Sequence, residues 1–82
     1  MAKSFHLTVA RVGENLFEGD AISATFPGKD GVFQVLADHE AFVSELLPGE
    51  MHVKAADDRT YHFEMPRGGI AEISRNQATI LL

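Results

Sequence analysis

Any chemistry in this chain has to be built from four histidines, twelve acidic residues and scattered serines, because there is no cysteine. Without a thiol there is neither a thiolate nucleophile nor a disulfide framework. His52 and His62 fall on the polar parity of two neighbouring strands, where a cross-hairpin pair is in principle able to ligate zinc. No His-x-His or His-x-x-x-His spacing occurs, so the pattern favours solvated strand-face histidines over a metal site. Asp38-His39-Glu40 has the composition of half an acid–base pair. No nucleophile is tied to it: Ser44 sits in an apolar stretch, and Ser4, Ser23 and Ser74 have no motif around them. A triad would also need an orienting group and an oxyanion site. Gly28-x-x-Gly31 and Gly68-Gly69 lack the strand–loop–helix context of a phosphate cradle and are read as turns, with Gly69 allowing a bulge or a close backbone approach. No catalytic, cofactor-binding or metal-ligating residue is assigned, and no cofactor is expected.

Charge narrows the class further. A net charge of −5, with seven basic residues scattered singly, gives no phosphate-tracking stripe and argues against nucleic acid. No apolar run approaches the roughly 20 residues that span a bilayer. Met1-Ala2-Lys3-Ser4 passes straight into an alternating segment with no signal-peptide core. The expectation is a soluble, cytoplasmic chain. Its 82 residues are expected to form one domain, residues 1–82, with a modest core and a stability that a partner would raise.

The elements that would position these residues read as strands. Phe5, Leu7 and Val9 alternate with His6, Thr8 and Ala10, the period of a half-buried strand. Arg11 falls on the apolar parity, which predicts a twist, bulge or rim there. Gly13-Glu14-Asn15 is read as a turn and Leu16-Phe17 as a short apolar pair before Glu18-Gly19-Asp20. A second strand then places Ile22, Ala24 and Phe26 on one face against Ala21, Ser23 and Thr25. Pro27 to Gly31 ends it. Val32 to Leu36 is apolar enough to predict a third strand covered on both sides, and Phe42 to Leu47 a fourth, with the Leu46-Leu47 pair and Phe17 assigned to the core. After Pro48-Gly49, Met51, Val53 and Ala55 alternate with Glu50, His52 and Lys54. Tyr61, Phe63 and Met65 then alternate with Thr60, His62 and Glu64. That is a hairpin with one wet face. Ile70, Ala71 and Ile73 make a seventh strand, Ser74-Arg75-Asn76 a turn, and Gln77 to Leu82 an eighth. Helix propensity over Asp38 to Leu47 is outweighed by the punctuation on either side. The fold class is all-β, a two-sheet β-sandwich or flattened barrel of about eight to ten short strands.

Phe26 to Val43 is the stretch best suited to presenting a contact surface, since polar loops flank an apolar strand at both ends. Four pieces of the chain, in order, carry a family resemblance: Phe5-His6-Leu7-Thr8-Val9, Leu16-Phe17-Glu18-Gly19, Gly28-Lys29-Asp30-Gly31 leading to His39, and Leu47-Pro48-Gly49-Glu50 followed by Gly68-Gly69-Ile70-Ala71-Glu72-Ile73. Together, from Phe5 to Leu82, they resemble the N-terminal β-sandwich of the epsilon subunit of F-type ATP synthases.

The resemblance implies a non-catalytic central-stalk subunit that couples ion-driven rotation to ATP synthesis, bound to the gamma subunit and to the membrane ring of c subunits. It implies peripheral membrane association through the complex, on the cytoplasmic face of the bacterial inner membrane or its organellar equivalent. It places c-ring contacts at Asp30, Gly31, Val32, His39 and Glu40, and gamma contacts at Arg11, His39, Ala41, Phe42 and Val43. Where the family usually reads Gly-x-x-Pro-Gly-His, this chain has Gln34-Val35-Leu36-Ala37-Asp38-His39, with Asp38 standing in for the glycine before the histidine. Where some relatives carry an acidic residue in the ring-contacting loop, it has Val32. The family commonly continues into two C-terminal helices able to inhibit ATP hydrolysis. These residues contain no such segment, so coupling without helix-mediated inhibition is expected. The alternative class is a stand-alone β-sandwich adaptor or a small-ligand or metal-binding module.

Overall fold

The structure, a computed structural model, describes residues 3–82. Eight strands occupy them in chain order: β1 (Phe5–Arg11), β2 (Glu14–Gly28), β3 (Gly31–Leu36), β4 (Phe42–Leu46), β5 (Gly49–Ala55), β6 (Thr60–Met65), β7 (Gly69–Ser74) and β8 (Gln77–Leu81). Hydrogen bonding runs β1-β8-β7-β4-β2-β5-β6, β1 also pairs with β2, and β3 pairs with β2. One layer is therefore β1, β8, β7 and β4, the other is β3, β5 and β6, and β2 belongs to both. This is the expected sandwich. All pairings are antiparallel except β1 with β8.

Leu7, Val9, Ala71, Ile73 and Ile80 from the first layer meet Phe26, Val35, Met51, Val53 and Met65 from the second in one core. β5 and β6 behave as their alternation predicts, with Met51, Val53, Ala55 and Met65 buried, Tyr61 and Phe63 half-buried and the other parity exposed. The expected irregularity at Arg11 is a register shift between Val9 and Ala10, beyond which Arg11 sits exposed at the strand end.

Other expectations need correcting. The first turn is Val12-Gly13, one residue earlier than read, and Gly13 takes the positive φ of 78° it requires. Leu16-Phe17 and the second strand are one 15-residue strand, because Glu18-Gly19-Asp20 pairs with Leu7 and its neighbours instead of turning. Within β2 the register against β5 shifts between Ala21 and Ser23. That inverts the parity before Ala24, so Ala21 is buried and Ile22 only half-buried. β3 is not covered on both sides. Among the described residues it pairs only with β2, and its outer parity is wet, with Val32 75% and Leu36 50% exposed. Leu46 is in the core, but Leu47 lies outside it and Phe17 at its margin, its ring edge-on to Tyr61 at 5.1 Å and to Phe63 at 6.2 Å. The Asp38–Leu47 stretch contains no helix, and its strand stops at Leu46.

Candidate functional site

The residues expected to make contacts sit on three parts of the surface. Asp30, Gly31 and Val32 form the tip of the β2–β3 hairpin. Gly28 pairs with Gly31 across the two-residue turn Lys29-Asp30, and Gly31 adopts φ 126°, a conformation open to glycine. The tip is tied to β4 by Lys29, whose N–H donates to the Glu45 carbonyl at 3.0 Å and whose Nζ lies 3.5 Å from Glu45 Oε2. Val32 then projects from the rim as one of the most exposed apolar side chains of the chain.

His39 and Glu40 lie at the other end of β3. Six strand residues at about 3.3 Å each separate them from the tip by roughly 20 Å. The residues expected to meet the ring are thus two clusters joined by the exposed edge of β3. Asp38 turns the corner with φ 62°, a left-handed conformation that Asp tolerates better than most side chains. It does stand where a glycine would serve. Sequence reading missed what holds this corner. Asn76, in the β7–β8 turn, accepts from the Asp38 N–H at 2.8 Å and donates from Nδ2 to the Ser4 carbonyl at 3.0 Å. Asn76 is available because Arg75 and Asn76 both have positive φ, 51° and 59°, in a two-residue hairpin turn. His39 Nδ1 lies 2.7 Å from the Glu40 carbonyl. A carbonyl only accepts, so Nδ1 carries the proton of this bond.

The residues expected to meet the gamma subunit also divide. Phe42 shares the inward parity of β4 with Ser44 and buried Leu46. Its ring meets Phe33 at 5.2 Å and His39 at 6.1 Å, so it braces the corner as much as it offers a surface. Ala41 links the corner to the strand. Val43 takes the outward parity and is 67% exposed. Ile70, 51% exposed, and Leu81, 53% exposed, face out beside it. Leu81 is directly opposite Ile70, Ile70 is opposite Glu45, and Val43 is the diagonal neighbour two residues along β4, a spacing of about 7–8 Å that large side chains bridge. These three make an apolar strip across β8, β7 and β4. A hollow along it is lined by Val43, Glu45, Arg67, Ile70, Leu81 and Leu82. Arg67 and Leu82 also border a second hollow with Arg11. Arg11 and Val43 are therefore two ends of one surface, with Arg11 held 3.2 Å from Glu14.

Sequence reading missed Ile70 and Leu81. Each adjoins another apolar residue, so alternation alone could not say which member of the pair faces out. Gly68 brings the strip's strands together: at φ 70° its backbone passes against the Leu46 carbonyl, where a Cβ would collide. Gly69 comes as close to the opposite strand, since a Cβ there would lie 2.5 Å from the Leu81 carbonyl. This is the expected close approach.

Among the described residues no side chain is assembled as a nucleophile. The Ser44 hydroxyl donates to the Glu45 carbonyl at 3.0 Å, and His39 is turned to a backbone carbonyl instead. On the other layer His52 and His62 are directly opposite across β5–β6, as the alternation predicts, and Glu50 lies beside them, its Oε1 3.0 Å from His52 Nε2.

Residues 4–82 match the family described as "ATP synthase, Delta/Epsilon chain, beta-sandwich domain". The chain is similar to the ATP synthase epsilon chain of Thioalkalivibrio sulfidiphilus, 30% identical over 81 residues, a match covering 99% of this chain and 57% of that protein. It is also similar to the ATP synthase epsilon chain of Chlorobium limicola, 30% identical over 79 residues, covering 96% of this chain and 89% of that protein. Among solved structures it resembles a chain of the Euglena gracilis mitochondrial ATP synthase, OSCP/F1/c-ring in rotational state 1. The TM-score is 0.87 at 25% identity, covering 95% of this chain and 49% of that one. The chain thus spans just over half the length of the Thioalkalivibrio protein and about half of the Euglena chain.

Proposed function

The chain belongs to the delta/epsilon-chain β-sandwich family of ATP synthases, and from that membership we propose that it is a non-catalytic rotor subunit coupling ring rotation to ATP synthesis. The observation that carries this reading is the exposed strip Val43–Ile70–Leu81 on an otherwise well-formed layer. An apolar strip rimmed by charge marks a protein contact, and Arg11, Glu45, Arg67 and Glu72 supply the rim. The strip with Arg11 is the surface for the gamma subunit. The tip Asp30-Gly31-Val32, the β3 edge and the corner His39-Glu40 form a second line of contact for the c-ring, with Ala41 and Phe42 linking the two. Standard interfaces take about 800 Å² per partner. Two such contacts fit on a surface of 5290 Å² and would stabilise a small domain by mass action.

The work done is mechanical: a stiff sandwich keeps the two contacts in fixed relation while the rotor turns. The complex would hold the chain at the cytoplasmic face of the bacterial inner membrane, or the organellar equivalent. The described residues contain no helix; coupling is assigned to the sandwich, and residues 3–82 by themselves are expected to leave ATP hydrolysis unrestrained.

Immobilised chain is expected to retain gamma and c subunits from detergent-solubilised membranes of its own source. Added to epsilon-depleted enzyme, it is expected to restore ATP-driven ion pumping while leaving hydrolysis high. Failure to retain either subunit overturns the rotor assignment. Strong suppression of hydrolysis overturns the absence of inhibition.

A further inference from the structure

The wet face of the β5–β6 hairpin lies on the layer away from the apolar strip, and the rotor reading gives it no task. Its register puts His52 opposite His62 and Glu50 opposite Glu64, all on the exposed parity. The two imidazole centroids are 4.3 Å apart with their planes inclined at 51°. Glu50 Oε1 is 3.0 Å from His52 Nε2 and 3.6 Å from His62 Nδ1. One ligand atom from each of the three residues lies within 4.8 Å of the other two.

We infer that Glu50, His52 and His62 form a surface site for a divalent transition metal of the zinc class, clipping edge strand β6 to β5. Two imidazoles and a carboxylate are a donor set suited to Zn²⁺, Ni²⁺ or Cu²⁺ rather than Mg²⁺ or Ca²⁺. Bonds of about 2.0–2.2 Å to such an ion set tetrahedral ligand atoms about 3.3–3.6 Å apart. The two Glu50 spacings, 3.0 and 3.6 Å, lie close to that range. The remaining closure needs only side-chain rotation at half-exposed positions, because the paired backbones already fix the direction of each side chain. Two His at adjoining positions on neighbouring strands is also an arrangement that two independent loops would reach only by ordering themselves first. Here the hairpin has met that entropic cost before any ion arrives. Three protein ligands leave a fourth position for water, with the Glu64 carboxylate on the same face as a second oxygen donor.

The chain contains four histidines, His6, His39, His52 and His62, and the two outside the site serve as internal controls. The probe is ZnCl₂ titrated into the full chain in a non-coordinating buffer, followed by calorimetry and by NMR of the histidine rings. Expected are one saturable equivalent, joint shifts or broadening of the His52 and His62 rings, and unaltered His6 and His39 rings. The double variant H52Q/H62Q is expected to lose about 100-fold or more in affinity, and Glu50→Gln about 10-fold, while H6Q/H39Q binds as the parent does. The ring spectra of the unsubstituted chain decide the matter even where a variant folds poorly. Equal response of all four rings, affinity within about twofold in H52Q/H62Q, or no saturation at millimolar zinc overturns the site.

Discussion

Val43, Ile70 and Leu81 occupy on the β4–β7–β8 layer the kind of position that Glu50, His52 and His62 occupy on the β5–β6 hairpin. Each is on the outward parity of a short antiparallel strand whose inward residues, among them Leu46, Ala71, Ile80, Met51, Val53 and Met65, close the same core. These six inward residues are interchangeable in kind, all aliphatic or thioether. The outward halves are not. One presents branched apolar side chains that water solvates poorly, and the other presents groups that water, a proton or a metal can satisfy. Core residues therefore account for why this chain is a sandwich, and the parity facing away from the core accounts for what it touches. An outward apolar strip is tolerable where a partner covers it, whereas an outward His/Glu face is stable as it stands.

The sharpest way to break this contrast is to truncate neighbours of opposite parity on one strand. Ile80→Ala is expected to lower unfolding free energy by about 2–5 kcal/mol, the cost of deleting buried aliphatic volume. Leu81→Ala, one residue on, is expected to cost less than about 1 kcal/mol in the isolated chain while weakening docking. Urea unfolding of both variants checks it, and comparable losses would mean that Leu81 is core. Next in size is Gly68→Ala, which forces an L-residue to φ 70° and a Cβ into the Leu46 carbonyl. A loss of about 2–4 kcal/mol is expected from the strain and the forced displacement. A fully stable variant would show that the strip's strands are not held by that approach.

Smaller effects separate the corner from the hairpin. Asn76→Ala removes the acceptor for Asp38 and the donor to Ser4, and is expected to cost about 1–2 kcal/mol. It should also speed amide exchange at Asp38 and His39 without altering exchange in β5. His62→Gln changes a solvated side chain on the hairpin and is expected to stay within about 0.5 kcal/mol of the parent in metal-free buffer. A larger loss would mean that the wet face is part of the scaffold.

The sequence was legible wherever alternation was unbroken. β1 and the β5–β6 hairpin read directly from Phe5-Leu7-Val9 and Met51-Val53-Ala55, and the His52–His62 pairing with them. Legibility failed where two apolar residues adjoin or where register is set by distant strands. Ile70-Ala71 and Ile80-Leu81 have no local preference for which member faces in. Pairing with β4 and β8 decides it, and with it the strip. The bulge after Ala21 and the continuation of β2 through Gly19 depend on β5 and β1 in the same way. β3 misled because Val32 to Leu36 has core composition on an edge strand. Such an edge is what a contact surface looks like when its partner is not counted. The corner showed both sides of this. That Asp38 replaces a glycine was readable from the family resemblance, but that Asn76, 38 residues away, pins it was not.

The central claim is that the Val43–Ile70–Leu81 strip is a docking surface. The direct measurement is the affinity of the gamma subunit for the parent chain and for Ile70→Lys, taken by calorimetry with the folding midpoint of both chains recorded alongside. Ile70 is half-exposed, so the lysine should leave the sandwich folded. Placed in a dry interface it is expected to weaken binding about 100-fold, or about 2.7 kcal/mol, while Thr60→Lys on the hairpin face leaves binding within about twofold. Equal affinity for Ile70→Lys and the parent would contradict the claim and move the docking surface elsewhere on the sandwich.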